Sequence, residues 1–228
     1  MAITKLIDTT TNDDMARLDA YARRLHDSVV QATILHATFR SLNESKEWQA
    51  SLVGSIVNSA YTIQHALLRE PILILVRVHD KPSNLETTDK VSFFVVGHWL
   101  QKAGVQEALV ARARRSSGKK WADRNAQTAR DAILRAKERL ERLANETPNR
   151  EKLLRNFRNG FLAHELHIAI PKELPLFGHI KEMTEEIQGL CIDVTLAVNG
   201  DLEEFDCITE SAKDGADQIW RAVAAREK

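Results

Sequence analysis

Residues 153–167, LLRNFRNGFLAHELH, decide how the rest of the chain is read. Leu153, Leu154, Phe157, Phe161, Leu162 and Leu166, with Ile168 just beyond, recur at spacings of three and four, the period of one broad apolar helix face. Into that frame are set Arg155, Arg158, Asn159, His164 and His167, so guanidinium, amide and imidazole groups gather on one short segment. Thr147 and Pro148 place the start of this helix, with the proline in the first turn, where a missing N–H costs nothing. Pro171 and Pro175 stand shortly after it, so the helix must finish around 167–169.

Working outward, the same helical period recurs along the chain. Leu18, Tyr21, Leu25, Val29, Ala32, Leu35 and Phe39 predict a first long helix, capped by the Thr11, Asn12, Asp13, Asp14 cluster and ending near 42–43. A second runs from about Ser45 to Glu70, where Pro71 kinks or splits it; residues 72–78 are apolar nearly all round and read as deeply buried. A loop covers 79–84. A third helix fits Thr88 to Lys102 with Thr88 as its cap and Gly104 after its end. The stretch VQEALVARARRSSGKKW, 105–121, reads as an exposed, mobile connection broken at Ser116, Ser117 and Gly118. Helices at about 121–144, 180–198 and 203–225 complete the array, Asn199 and Gly200 ending the second of these. With 228 residues, 43% hydrophobic content, nine glycines and five prolines, the expectation is an all-α protein of about six or seven helices forming one domain over 1–228.

Cys191 and Cys207 sit in apolar helical surroundings and read as buried reduced thiols rather than a disulfide, which suits a reducing cytoplasm. The most apolar run, 71–78, contains Arg77 and is far too short to span a bilayer, so no membrane association is expected. The net charge is zero but unevenly spread. Residues 1–110 carry eleven basic and twelve acidic side chains, 111–158 carry fifteen and six, and 159–228 carry six and fourteen. A positive field leading into the central segment suits a protein that handles a polyanion. The other reading is that the basic helix pairs with the acidic C-terminal ones. Arg112, Arg114, Arg115, Lys119 and Lys120 are accordingly either a solvated loop or contacts to RNA. His164, Glu165 and His167 lack the H-E-x-x-H pattern and a third ligand, so no metal is expected there. No Walker loop, dinucleotide glycine motif or nucleophile elbow is present, and no cofactor is expected.

At Arg158, Asn159 and His164, read as R-N-x4-H with Gly160, Phe161, Leu162 and Ala163 between, the sequence resembles the HEPN superfamily of helical nucleases and nucleotide-binding proteins. Within it the abortive-infection U-type family is the nearest likeness, since there too the motif lies in a late helix with an apolar stretch leading into Ala-His. Arg77, Val78, His79 and Asp80 also resemble that family's long helix with its Arg and Asp close together. The likeness covers most of the chain. It implies a HEPN-like bundle that forms a homodimer, and a metal-independent endoribonuclease with its site at the dimer seam, acting in phage defence or a toxin system. The acidic C-terminal third leaves room for a protein regulator as a further partner.

The chemistry can be argued from the side chains. Cleaving RNA without a metal uses the neighbouring 2′-hydroxyl as nucleophile; one group must accept its proton and another must protonate the leaving 5′-oxygen. Imidazole does either near neutrality, which points to His164. A planar guanidinium suits the charge that grows on the phosphoryl oxygens, which points to Arg158. Asn159 would orient the histidine or a phosphate oxygen, and Arg155 extends the basic edge for RNA positioning. Six residues at about 100° each leave Arg158 and His164 about 240° apart around a regular helix, so they meet only through the reach of the arginine, a local break, or a partner chain. Two other readings stand beside the nuclease: an inert HEPN-like module that binds RNA, nucleotide or protein, and a helical interaction protein whose R-N-x4-H is coincidental. His36, His65 and His98 are explained by packing.

Overall fold

The computed structural model describes residues 2–45, 56–116, 118–146, 152–153, 155–156, 158–159, 177–202 and 204–225. Among them are seven helices and no strand: α1 (Ala2–Glu44), α2 (Ile56–Val78), α3 (Phe93–Gln101), α4 (Ala103–Ser116), α5 (Gly118–Glu146), α6 (Phe177–Val198) and α7 (Phe205–Ala225). The all-α architecture expected from composition and periodicity is the one found. The described chain divides into two compact units.

The first unit takes Met1–Asp27, Arg77–Glu151 and Glu186–Glu203. Its α3, α4 and α5 pack on one another. The reason lies in the inner face of α5, where Ala126, Ala129, Ala132, Ile133, Ala136, Leu140 and Leu143 are buried at spacings of one to four, and four of the seven are alanine. Small side chains let helix backbones approach. At Gly97 of α3 the approach is close enough that a Cβ there would stand 2.5 Å from Leu140 Cδ1. Leu18, Ala22 and Leu25 of α1 and Ile187, Leu190, Val194 and Val198 of α6 are also buried in this unit, each large aliphatic side chain contributing about 1.5–3 kcal/mol.

Polar clamps fix the register of these helices. Arg112 Nη1 and Nη2 donate to the two carboxylate oxygens of Asp19, both at 2.9 Å. Arg135 Nε and Arg139 Nε donate to opposite oxygens of Asp193 at 2.7 and 2.8 Å, and Asp193 is buried. The segment between α2 and α3 is held by Tyr21 Oη, which donates to the carbonyl of Thr88 at 2.6 Å, and by the ion pair of Lys90 with Asp80 at 2.8 Å.

The second unit takes Ser28–Val76, Lys152–Glu185 and Glu204–Lys228. Val29, Ala32, Phe39 and Leu42 of α1, Ile72, Ile74, Leu75 and Val76 of α2, Ile180 and Met183 of α6, and Phe205, Ala216 and Trp220 of α7 are buried in it. Leu42, Ala216 and Trp220 form one cluster, with Leu67 and Val223 packed against it. Ser41 donates to Asp217 beside this cluster, and Gln64 Nε2 donates to Asn43 Oδ1 at 2.8 Å.

Several expected boundaries are corrected. Helix α1 begins at Ala2, so Thr11, Asn12, Asp13 and Asp14 lie inside it rather than at its cap. Helix α2 continues through Pro71, and the deep burial expected for 72–78 is found everywhere except half-buried Leu73 and exposed Arg77. Helix α3 starts at Phe93 instead of Thr88. Its upstream residues are committed elsewhere: Asn84 Oδ1 accepts from the N–H groups of Glu86 and Thr87, and Thr88 Oγ1 accepts from that of Lys90. Gly104 does not end α3. The chain instead turns extended at Lys102 and begins α4 at once, so most of the expected mobile connection is helix. Ala, Leu, Gln and Arg favour helix intrinsically, which sustains α4 with only Val105 and Leu109 buried. Asn199 and Gly200 do end α6, and Gly200 takes a φ of +80°, which a glycine accepts without strain. Cys191 is buried as expected, whereas Cys207 is exposed. No described helix is long and apolar enough to cross a membrane.

Candidate nucleic-acid interface

Of the central segment, Lys152, Leu153, Arg155 and Asn156 have helical backbone, and Arg158 and Asn159 lie in a wider, π-type turn. Such turns recur at functional sites, and at Arg158 and Asn159 the backbone departs from regular α-helical spacing. Arg158 Nε and Nη2 both donate to Asn159 Oδ1, at 2.9 and 2.7 Å. Two bonds onto one amide oxygen fix the guanidinium plane and leave its remaining N–H groups for an acceptor outside the pair. Arg155 and Arg158 are half-buried and Asn159 is exposed. His164 and His167 lie outside the described residues.

The basic residues of α4 and α5 separate into two groups. Arg112, Arg135 and Arg139 are turned onto Asp19 and Asp193, an internal pairing that competes with polyanion binding. Arg114 pairs with Asp123 at 2.8 Å with both partners exposed, a geometry that contributes little in water. Arg115, Lys119 and Lys120 are exposed, with no carboxylate partner among the described residues. A groove of about 640 Å³ lies alongside, with Ile133, Leu134, Arg114, Arg115, Arg130 and Lys137 among the residues that line it.

Trp121, which the sequence marks only as a helix start, is 46% exposed at the opening of α5. Lys120 Nζ lies 5.2 Å and Arg124 Cζ 5.5 Å from its ring centroid. The signal in the sequence is the order Lys-Lys-Trp-x-x-Arg. It puts cations on neighbouring positions of one turn around an aromatic ring.

Two histidines that periodicity explains by packing have polar surroundings as well. His36 lines a cavity of about 330 Å³ in the second unit with Phe39, Arg40 and Lys181. Burial first, and then the charges of Arg40 and Lys181, bring its imidazole down from 6.5 to about 4, so it is neutral at pH 7. His98 lies 3.5 Å from Glu86 and edge-on to Trp99. The Cys207 thiol donates to Glu204 Oε2 at 3.4 Å, and this bond and the carboxylate charge raise it above the ordinary thiol range. An exposed cysteine held protonated in this way is a poor nucleophile.

Neither a search of the curated proteins nor one of the solved structures returned a match. A family model does match: that of the HEPN proteins described as AbiU2, over residues 15–219. The matched span begins inside α1 and ends inside α7, so it takes in all of α2 to α6 and part of α1 and α7, together with the Arg158, Asn159 and His164 motif. This chain belongs to the AbiU2 family of HEPN proteins.

Proposed function

We propose that the protein is a metal-independent endoribonuclease that acts as a homodimer in the cytoplasm, in phage defence or a toxin system. The observation that carries this reading is the R-N-x4-H sequence within a HEPN chain, with Arg158 held in plane by Asn159. In the proposed reaction the 2′-hydroxyl attacks the adjacent phosphorus and the bond to the 5′-oxygen breaks, giving a 2′,3′-cyclic phosphate and a 5′-hydroxyl. His164 moves the proton, Arg158 stabilises the charge on the non-bridging oxygens, and Asn159 orients Arg158. Arg155, Arg114, Arg115, Lys119 and Lys120 contact phosphates along the strand; Arg112, already engaged by Asp19, adds to the local field.

The test is cleavage of total cellular RNA by the purified protein in excess chelator, beside His164→Ala and Arg158→Ala variants shown to fold and associate like the parent. The expected result is chelator-resistant cutting that leaves 2′,3′-cyclic ends and falls by roughly 100-fold or more in each variant. Variants that cut as well as the parent overturn the site assignment. RNA binding without any cutting moves the chain to the inert binding-module reading.

A further inference from the structure

The first turn of α5 sets an indole in water among positive charges. Trp121 is flanked by Lys120 and Arg124, and Lys119 stands on the same turn. Taken alone, this arrangement is unfavourable for the chain in two ways. The ring leaves apolar surface in water, and the two lysines sit in the first turn of a helix, where negative charge is favoured; no acidic residue occupies that turn. The cation–π contacts offset part of this, but at exposed sites they are worth only about 0.5–1 kcal/mol.

We propose that Trp121, with Lys119, Lys120 and Arg124, is a stacking platform for an unpaired base of single-stranded RNA. The base lies against the indole face, and the cation it displaces from that face moves to the phosphates on either side of the stacked nucleotide. Lys120 and Arg124 are exposed side chains with their charges 5.2 and 5.5 Å from the ring centre, so this exchange asks nothing of the helix backbone. A duplex has no unpaired face to offer. A protein partner that used this tryptophan as an anchor would have to desolvate the charges around it, since the exposed side chains within one turn, among the described residues, are Lys119, Lys120, Asp123 and Arg124. Stacking on an indole tolerates any base, so the platform selects strandedness rather than sequence. The inference rests on the ribonuclease reading only in taking RNA as the ligand, and it deepens that reading by naming the form of RNA held.

The test is fluorescence anisotropy of a short labelled oligonucleotide with 2′-O-methyl sugars. It has no free 2′-hydroxyl to attack, so binding is read apart from cleavage. The same oligonucleotide annealed to its complement is measured at the same salt. Trp121→Ala is expected to weaken single-strand binding roughly tenfold and to leave duplex binding unchanged, while Trp121→Phe recovers much of the loss. Because the side chain is exposed, the variant is expected to match the parent in helix content and in sedimentation. Equal affinity of parent and Trp121→Ala for the single strand overturns the proposal, as does equal loss on single strand and duplex. Unchanged RNA binding with altered self-association assigns the indole to a protein interface instead. Cutting of unmodified RNA is scored separately. A protein that does not cut but binds through Trp121 refutes the nuclease alone, and one that cuts with Trp121-independent binding refutes the platform alone.

Discussion

His36 shows how one side chain can set the acid limit of this fold. Its imidazole is neutral in the folded protein down to about 4, whereas an unfolded histidine protonates below 6.5. Between these values the unfolded chain binds the extra proton, so stability is complete above 6.5 and is lost as the pH falls towards 4, by up to ~3 kcal/mol. Urea denaturation at pH 7 and pH 4.5 checks this, and His36→Gln is expected to flatten the difference. At Cys207 the sign is reversed in effect: the Glu204 carboxylate holds the thiol protonated, so alkylation at pH 8 is slow for an exposed cysteine and quickens in Glu204→Gln. Neither behaviour is legible in the sequence. Periodicity marks a histidine as inward-facing and puts Arg40 one turn on, but it does not say that Lys181 of another helix flanks it. The contact between Arg158 and Asn159 is legible because they are neighbours in the chain, whereas the ring of Trp121 looks like one more apolar residue at a helix start.

At the scale of the helices, Asp193 ties α6 to α5 through Arg135 and Arg139. Asp193 of α6 is buried, while Arg135 and Arg139 each keep part of their surface in water. Removal of the two sides is therefore unequal. With Asp193→Ala the guanidiniums turn to solvent, and the cost is about 1–3 kcal/mol. With Arg135→Ala and Arg139→Ala together, a buried carboxylate is left without a partner, and the cost rises to about 3–5 kcal/mol. Arg114→Ala, which breaks an exposed pair, is expected to stay within about 0.5 kcal/mol. Chemical denaturation of the three variants ranks them. Element type is legible wherever an apolar stripe persists, as in α1, α5 and α6. Legibility fails at α4, where Val105 and Leu109 are the only buried residues and the arginines and serines read as a loop. Spacing overshoots at the start of α3, because side chains of Asn84 and Thr88 hold the preceding backbone in turns that no periodicity detects.

Across the whole molecule, a net charge of zero conceals a basic middle and an acidic end. Part of the difference is consumed internally, at Asp19 and Asp193; the part left in water includes Arg115, Lys119 and Lys120. If those cations meet phosphates, single-strand affinity falls linearly with the logarithm of salt concentration, and Lys119→Ala with Lys120→Ala lowers that slope by roughly 1.4, about 0.7 for each charge removed. A slope unchanged by the double substitution would falsify their role as contacts. The division of the basic middle into clamps and solvent-facing charges cannot be read from one dimension, since it depends on which arginines of α4 and α5 face a carboxylate. The exposed indole has an optical consequence as well. Trp99 and Trp220 are buried, so their emission is shielded from ions in solution, while Trp121 stands in water inside a cloud of positive charge. Iodide is drawn into that cloud and caesium is repelled from it. The emission that Trp121→Phe removes should therefore be quenched by the anion and spared by the cation, and it should be protected when a single strand is bound.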